Sequence, residues 1–259
     1  MDRRPVNPGP DAFPEVFREL IASSRLYDSS CSPQARVWFL DREEGLYLKT
    51  APKGSLRREA EMTAFFHQKG VAAEVLSYIT ADKDWLLTRA LPGEDCTCGK
   101  YLENPKRLSV LLGERLRLLH ELDPASCPAA DRTGAYLAAV EEGQALGRFD
   151  AGYFSKPGLT PERAKALVWE YGPRLKNEVL LHGDYCLPNV MLDDWRFSGF
   201  IDLDHSGVGD RHVDLFWGAW SLGFNLGTDK WRDRFLDAYG RDTIDAELLT
   251  AIGAFEAFG

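Results

Sequence analysis

The residues with the clearest chemical meaning are Asp184, Asn189 and Asp202, which fall within one short stretch of the chain. Residues 190–192 are apolar and predict a strand, and residues 197–201 predict the strand that returns after an Asp-Asp-Trp turn. Asn189 precedes the first strand and Asp202 follows the second. Since opposed residues of an antiparallel pair lie on the order of 5 Å apart at Cα, we expect these two side chains to reach a common point.

Oxygen ligands of this kind suit a hard cation. An amide oxygen beside a carboxylate is a ligand set that Mg²⁺ accepts, so Asn189 and Asp202 are the predicted metal ligands. Asp184 is then left to orient or deprotonate an attacking hydroxyl, and the three residues together are the equipment of phosphoryl transfer. A single Asp after a strand is more often a turn or cap residue. The fixed spacing to Asn189 and the hairpin that ends on a second acid make the functional interpretation far more specific.

Composition limits the class of protein and of partner. The chain has 259 residues, of which 44% are hydrophobic and 27% charged, enough for one large or two modest domains. A formal net charge of −9 argues against a nucleic-acid partner and is compatible with a cationic substrate. No apolar run approaches the ~20 residues that span a bilayer, so no membrane partner is expected. The polar start and the five scattered cysteines favour a cytoplasmic protein with reduced thiols.

The apolar pattern divides the chain into two parts. The first part predicts strands and two helices, at 11–24 (helix), 36–41, 45–50, 56–69 (the main helix), 74–80 and 85–89. The linker 91–95 contains Pro and Gly, which break regular structure. The second part predicts helices over about 107–122, 132–146, 161–171, 211–222, 230–239 and 245–258. We therefore predict an α+β, bilobal chain, with a small antiparallel-sheet N-terminal lobe at 1–90 and a larger, mostly helical C-terminal lobe at 91–259.

The first lobe offers a nucleotide site. Tyr47 and Lys49 are two residues apart on a strand and face the same way, so the lysine can pair with phosphates while the ring stacks on a base. Glu59, or Glu61 beside it, could hold that lysine by an ion pair. The alternative is a solvated strand lysine with the acid on an exposed helix face.

Two further segments could meet the nucleotide. Backbone N–H groups of the Ser-rich turn at 30–33 can cradle phosphate oxygens. Thr88 to Ala90, beside the linker, could meet an adenine edge through the backbone. The sequence contains no G-x-G-x-x-G and no Walker A pattern, which disfavours a P-loop ATPase.

Lys49, Glu59, His182-Gly183-Asp184, Asn189 and Asp202, in this order, resemble the aminoglycoside phosphotransferases, which are relatives of the protein kinases. The resemblance covers nearly the whole chain. The runs most similar to the 3′-phosphotransferases of the kanamycin/neomycin type are 46–49, 118–123 with 126–128, 186–189, 196–202 and 255–258.

The resemblance implies a protein-kinase-like fold, ATP or GTP with Mg²⁺, and transfer of the γ-phosphoryl group to a hydroxyl, expected at the 3′ position, of a polycationic sugar. It implies that Asp184 is the catalytic base and that Asn189 and Asp202 are the metal ligands. The implied nucleotide-binding residues are Ser32, Tyr47, Lys49, Glu59, Thr88 and Ala90. Asp214 is similar to an acid that braces the catalytic loop in these enzymes, although it could equally be an ordinary helix-start carboxylate.

The departures from the family pattern fall on the acceptor side. Leu203-Asp204-His205 stands where the pattern has Leu-Gly-Arg, and Phe224-Asn225 stands where an acid pair is expected. Around 150–156, where the family places carboxylates, only Asp150 is a candidate. The predicted substrate residues are therefore Asp150, Asp204, His205, Asn225 and Glu256. Because each ammonium–carboxylate hydrogen bond contributes about 1.5–3 kcal/mol, we expect common aminoglycosides to bind less tightly.

Three other functions stay open. The first is the same chemistry on a different small hydroxylated acceptor. The second is a non-catalytic nucleotide-binding pseudokinase, which the complete set of catalytic residues disfavours. The third is a metal hydrolase, which lacks any recognised ligand spacing and would have to use His182, His205, His212 and Asp202. A monomer or weak dimer is expected.

Overall fold

The computed structural model describes residues 3–154 and 158–259. Its contacts divide the chain into two compact units. Unit 1 contains the described residues up to Asp95 together with Met191–Asp204, and unit 2 contains Cys96–Val190 and His205–Gly259. The lobe boundary predicted at residue 90 differs from this division chiefly because it assigns 191–204 to the C-terminal lobe.

The elements follow one another along the chain in three stretches. Up to Asp95 they are β1 Arg4–Val6, α1 Glu15–Ala22, β2 Arg25–Asp28, β3 Arg36–Asp41, β4 Leu46–Pro52, α2 Arg57–Gln68, β5 Val75–Thr80, β6 Lys83–Arg89 and β7 Glu94–Asp95. They continue with α3 Gly99–Leu102, α4 Pro105–His120, α5 Arg132–Ala145, α6 Pro161–Tyr171 and β8 Val179–Leu181. The last are β9 Val190–Asp193, β10 Arg196–Phe200, β11 Gly207–Gly209, α7 Arg211–Leu226, α8 Arg232–Tyr239 and α9 Ala246–Glu256.

Unit 1 is built on an antiparallel sheet of strand order β1-β2-β3-β4-β6-β5. Successive side chains of a strand point to opposite faces, and β4 shows why this matters. Leu48 is fully buried and packs in a core with Phe17 of α1 and Trp85 of β6. Tyr47 and Lys49 therefore project from the other face of the sheet.

The predicted hairpin is present as β9 and β10, and its hydrogen bonds attach it to unit 1. Strand β9 pairs with β7, with Glu94 opposite Leu192. The N–H of Phe200 donates to the carbonyl oxygen of Val71 over 2.8 Å. Gly93 has a positive φ of 85° and approaches the Leu192 carbonyl so closely that a Cβ there would lie 2.0 Å from the oxygen. These contacts explain why residues 191–204 belong to unit 1.

Unit 2 is mainly helical. Helix α4 packs on α8, and α9 packs on α6 and α7 around a core that includes Ile252 and Phe255. Helix starts are set by local chemistry, because Thr160, Asp210 and Asp245 each accept a backbone N–H as the N-cap of α6, α7 and α9. The short strands β8 and β11 pair antiparallel beneath the loop at 182–189.

The predicted strands and the main helix of the first lobe are confirmed to within a few residues, as are the six helices predicted for the second. Helix α7 runs four residues beyond its predicted end, to Leu226, where Gly227 adopts the left-handed conformation that ends it. The short strands β1, β2, β7, β8 and β11 were not predicted. Within the described residues, no helix is both long and apolar enough to cross a membrane.

Candidate active site

Lys49 is the centre of a charged cluster in unit 1. Its Nζ donates to Glu59 Oε1 over 2.8 Å and to Asp202 Oδ1 over 2.9 Å. Burial by itself would lower the pKa of Lys49, but the two carboxylates outweigh burial and hold that pKa above its usual value. Burial also raises the pKa of Glu59, and Lys49 opposes that rise. The lysine is therefore a fixed cation that Glu59 positions.

A cavity opens beside this cluster, and we call it the Lys49 cavity. It contains five of the six predicted nucleotide-binding residues: its lining includes Ser32, Tyr47, Lys49, Glu59, Thr88, Met191, Phe200 and Asp202. The strand register explains the convergence, since Tyr47 lies opposite Thr88 and Lys49 lies opposite Leu86. A ring, a cation and a mostly apolar floor are what a purine nucleotide needs from a protein.

Ala90 and Tyr47 both form hydrogen bonds within unit 1. The N–H of Ala90 donates to the Gly45 carbonyl over 3.1 Å, so a contact with a base would have to use the Ala90 carbonyl. Tyr47 Oη accepts a hydrogen bond from Arg3 over 2.9 Å, and its ring packs 5.2 Å from that of Phe39. Sequence reasoning missed Arg3, which no local pattern connects to Tyr47, and also Phe39, which lies opposite Tyr47 across the β3–β4 pair.

Asp184 and Asn189 are joined within the loop of unit 2 that follows β8. Asn189 Nδ2 donates to the Asp184 carbonyl oxygen over 3.0 Å and to Asp184 Oδ2 over 2.9 Å. Gly183 has a φ of 84°, and a Cβ there would lie 1.9 Å from the His205 carbonyl oxygen, so this position needs glycine. The loop therefore presents a carboxylate with a defined orientation.

Asp214 fixes the same loop through hydrogen bonds to its backbone. Its carboxylate is fully buried and accepts the backbone N–H groups of His182 and Gly183 over 2.7 and 2.8 Å. His120 Nε2 lies 3.2 Å from Asp214 Oδ2, and His120 Nδ1 lies 2.8 Å from Tyr239 Oη. Helices α4, α7 and α8 thus contribute to one buried network behind the loop. The sequence indicated Asp214 and included His120 in the family-like run 118–123 without assigning it a role, but it gave no signal for Tyr239.

A second cavity, the Asp184 cavity, lies entirely within unit 2. Its lining includes Asp184, Glu256, His205, Arg132, Tyr136 and Trp217. Tyr136 Oη donates to Glu256 Oε1 over 2.7 Å, and Trp217 donates to the same carboxyl group. Burial raises the pKa of Glu256 to about 7, against the lowering effect of these two hydrogen bonds. Two predicted substrate residues, Glu256 and His205, therefore lie in one cavity with the predicted base.

The other predicted substrate residues lie elsewhere. Asp150 is exposed, and its carboxylate accepts the Gly152 N–H as the cap of a short turn. Asn225 Nδ2 donates back to the Ser221 carbonyl within α7. Asp204 belongs to unit 1 and forms a two-bonded ion pair with Arg58. None of the three is among the described residues that line the Asp184 cavity, and residues 155 and 156 of the predicted substrate segment lie outside the described part of the chain.

The two predicted metal ligands, Asn189 and Asp202, offer different donor atoms. Asp202 offers a carboxylate that is 52% exposed, and the bonds from Asn189 to Asp184 use its Nδ2, which leaves the amide oxygen as the donor atom it could offer a metal. A carboxylate and an amide oxygen fit Mg²⁺. Within the described residues, no group of three or more His, Cys, Asp or Glu side chains, the kind of ligand set that the hydrolase alternative would use, is arranged to hold a metal. His212, one of its candidates, is bonded to Asp210 over 2.7 Å instead.

Comparison with known proteins gives a consistent result. A family model described as "Phosphotransferase enzyme family" matches residues 28–249. A protein of Lactococcus lactis subsp. lactis (strain IL1403), named "Probable aminoglycoside 3'-phosphotransferase", is 47% identical over 251 residues, which cover 96% of each chain. An "Aminoglycoside 3'-phosphotransferase" of Niallia circulans is 31% identical over 245 residues, covering 91% of this chain and 93% of that one.

A solved structure is also similar. The crystal structure of an aminoglycoside-3'-phosphotransferase of type VIII superposes with a TM-score of 0.71 at 26% identity, covering 90% of this chain and 94% of that one. The resemblance and the protein-kinase-like α+β fold predicted from the sequence are confirmed by these likenesses.

Proposed function

Because the chain belongs to the phosphotransferase enzyme family, we propose that it transfers the γ-phosphoryl group of ATP to the 3′-hydroxyl of an aminoglycoside. The relatives described above are named for this activity and align along nearly the whole chain. The observation that carries the proposal is that Asp184 and Glu256 line one cavity. This arrangement supplies a base for a hydroxyl and an anion for an amine to the same acceptor molecule.

Unit 1 binds the nucleotide in this proposal. Tyr47 stacks on the purine, and Lys49 turns its charge toward the phosphates while Glu59 keeps hold of it. The lysine is already desolvated and oriented by Glu59, so little reorganisation is needed when a phosphate replaces Asp202 as its second partner. GTP in place of ATP would use the same contacts with Lys49.

Unit 2 binds the acceptor. Asp184, oriented by Asn189, accepts a hydrogen bond from the attacking hydroxyl and takes its proton as the new oxygen–phosphorus bond forms, while the bond from the γ-phosphorus to the β–γ bridging oxygen breaks and ADP leaves. Glu256, held by Tyr136 and Trp217, binds an ammonium group and so fixes which hydroxyl meets Asp184. Most of the rate acceleration then comes from positioning, since the transition state of phosphoryl transfer is loose.

Asp202 and Asn189 would hold Mg²⁺, which when bound supplies counter-charge to the phosphates. We propose a cytoplasmic location as well, because ATP is available there and all five cysteines of the structure are thiols. A monomer or weak dimer remains a prediction.

A specific observation favours a second candidate, the same reaction on a hydroxylated acceptor with fewer amines. Of the predicted substrate acids, only Glu256 lines the Asp184 cavity; Asp150 caps a turn and Asp204 pairs with Arg58. An acceptor with one well-placed ammonium group would satisfy this cavity as well as a polycation does.

A panel assay separates the two candidates. ADP release is measured with ATP, Mg²⁺ and kanamycin, neomycin, amikacin or a kanamycin analogue that lacks the 3′-hydroxyl. The proposal predicts turnover with kanamycin and none with the 3′-deoxy analogue. Nucleotide binding without turnover on any aminoglycoside would contradict the first candidate and favour the second.

A further inference from the structure

Asp202 adopts an unusual backbone conformation. Its φ is 56°, in the left-handed region that residues with a Cβ rarely occupy. Such a conformation persists only where the surrounding structure fixes it. The contacts that hold the segment 202–204 therefore decide whether the Asp202 carboxylate keeps its place.

Two of these contacts are the burial of Leu203 and the hydrogen bond from Lys49. Leu203 is fully buried, which anchors the middle of the segment in unit 1. Lys49 Nζ bonds Asp202 Oδ1 over 2.9 Å. In the proposed function Lys49 turns to the phosphates when the nucleotide binds, so its hydrogen bond to Asp202 weakens. At that same moment the Asp202 carboxylate has to be in its binding orientation.

A third contact does not depend on the nucleotide. Arg58 of α2 donates from Nε to Asp204 Oδ1 over 3.2 Å and from Nη2 to Asp204 Oδ2 over 3.0 Å. Two parallel bonds fix the orientation of a carboxylate as well as its distance, which a lysine in place of Arg58 could not do. Arg58 precedes Glu59 on the same helix, so α2 holds both Lys49 and the segment after Asp202. Neither Arg58 nor Asp204 is among the described residues that line the Lys49 cavity.

We propose that Arg58 and Asp204 are a positioning pair that keeps the Asp202 carboxylate in its binding orientation, a role that rests on the proposed function. Asp204, expected from the sequence to bind substrate amines, acts within unit 1 instead. An exposed ion pair of ordinary geometry contributes little, but a two-bonded Arg–carboxylate pair is the favourable case.

The test is a double-mutant cycle on the full chain. The variants are Arg58→Ala, Asp204→Ala and the chain with both changes, and Arg57→Ala is the control, since Arg57 is an exposed arginine one position away on α2. Hydrogen exchange of a peptide covering 200–206 is measured without nucleotide, and the KM for Mg·ATP and kcat are measured with acceptor. Arg58→Lys serves as the conservative variant.

We expect each single alanine variant to exchange about fivefold faster at 200–206 and to raise the KM for Mg·ATP by a similar factor, with kcat nearly kept. The variant with both alanines should be no worse than either single one, because the pair is already broken, and Arg58→Lys should fall between. The proposal would be overturned if the single variants matched Arg57→Ala in exchange rate and in KM for Mg·ATP. It would also be overturned if the effects of the two alanine changes added in the double variant. If the protein transferred no phosphoryl group at all, the exchange cycle would still report on the pair, so the two failures can be told apart.

Discussion

The two cavities hold their charged groups in different ways. In the Lys49 cavity the lysine lies within 2.9 Å of two carboxylates, so the buried Glu59 carboxylate has a cationic partner inside the fold. In the Asp184 cavity Glu256 is held by the neutral donors Tyr136 and Trp217, and burial raises its pKa to about 7. The buried carboxyl group of the first cavity is paired with a cation, whereas that of the second lacks a compensating cation among these partners.

This difference suggests how the proposed reaction divides between the units. A compensated cluster keeps its geometry before any ligand arrives, as the nucleotide site requires. A buried acid held by neutral groups becomes a better anion when a cationic ligand brings the missing charge. The acceptor would thus complete the electrostatics of its own site, which makes a cation at that position a requirement for tight binding.

The largest effect is expected at Asp184. Asp184→Asn keeps an oxygen for the bond from Asn189 but removes the proton acceptor, so kcat should fall by about 10²–10⁴-fold. Nucleotide affinity should be unchanged, because the proposed nucleotide-binding residues lie in unit 1. ADP release and calorimetric titration with nucleotide measure the two quantities. Asp82→Asn, in an exposed turn, is the control; a loss of activity limited to severalfold would remove Asp184 from the role of base.

The compensation in the Lys49 cavity is tested by breaking it. Lys49→Met leaves the buried Glu59 carboxylate without its partner, and the free energy of unfolding should fall by about 3 kcal/mol. Adding Glu59→Gln removes the uncompensated charge and should recover most of that loss. Urea unfolding at pH 7 measures both variants. Equal stability of the single and double variants would show that Glu59 does not depend on Lys49.

A smaller effect is expected at Glu256. Glu256→Gln keeps the shape but removes the charge, so the KM for a cationic acceptor should rise by about 10–100-fold, the value of one charged hydrogen bond. The KM for ATP should not change. Glu247→Gln, an exposed acid on the same helix α9, is the control. An unchanged acceptor KM in Glu256→Gln would mean that the acceptor cation binds elsewhere.

The raised pKa of Glu256 gives this prediction a pH dependence. The folded protein binds this proton up to about pH 7, whereas the unfolded chain releases it near 4.5. Between these values the native state holds more protons, so its stability relative to Glu256→Gln should decrease as pH rises. Over the same interval the acceptor KM of the parent should fall, because ionised Glu256 binds the cation. The assignment of the raised pKa to Glu256 would be contradicted if the free energy of unfolding and the acceptor KM changed with pH in the same way for parent and Glu256→Gln between pH 5 and 8.

The smallest effect is expected behind the catalytic loop. Tyr239→Phe removes the 2.8 Å hydrogen bond between Tyr239 Oη and His120 Nδ1 and the longer one, 3.5 Å, that Arg211 Nη1 donates to the same oxygen, while Asp214 keeps its bonds to the loop. Stability should fall by about 0.5–1.5 kcal/mol, with kcat changed less than in any variant above. Thermal unfolding and ADP release measure this. A fall in kcat as large as that of Asp184→Asn would mean that the network takes part in the chemistry.

Local signals predicted most of the fold. Helix α6 was predicted at its observed bounds from the apolar pattern, and the structure shows a Thr160 cap and a proline in the first turn that define its start. The strands β1 and β2 were missed because they are three and four residues long and have no clear alternation. Their place is decided by pairing with β3 rather than by their own pattern.

The site residues could likewise be predicted where a local pattern connects them, but not where the contact is long-range. The residues of the Lys49 cavity could be predicted, since two strands in fixed register bring Tyr47, Lys49 and Thr88 together. The ion pair of Asp204 could not be predicted, because its partner Arg58 is 146 residues away and no local pattern connects them. The bond between His120 and Tyr239 was hidden for the same reason. Long-range ion pairs and buried networks are visible only once the helices have packed.

The most direct measurement is the position of phosphorus in the product. After incubation with ATP, Mg²⁺ and kanamycin, the product is purified and its phosphorus–proton couplings are measured by nuclear magnetic resonance. The proposed chemistry predicts a single phosphorylated product whose phosphorus couples to the proton on carbon 3′. Inorganic phosphate with unmodified kanamycin, or a phosphoryl group on another carbon, would contradict it.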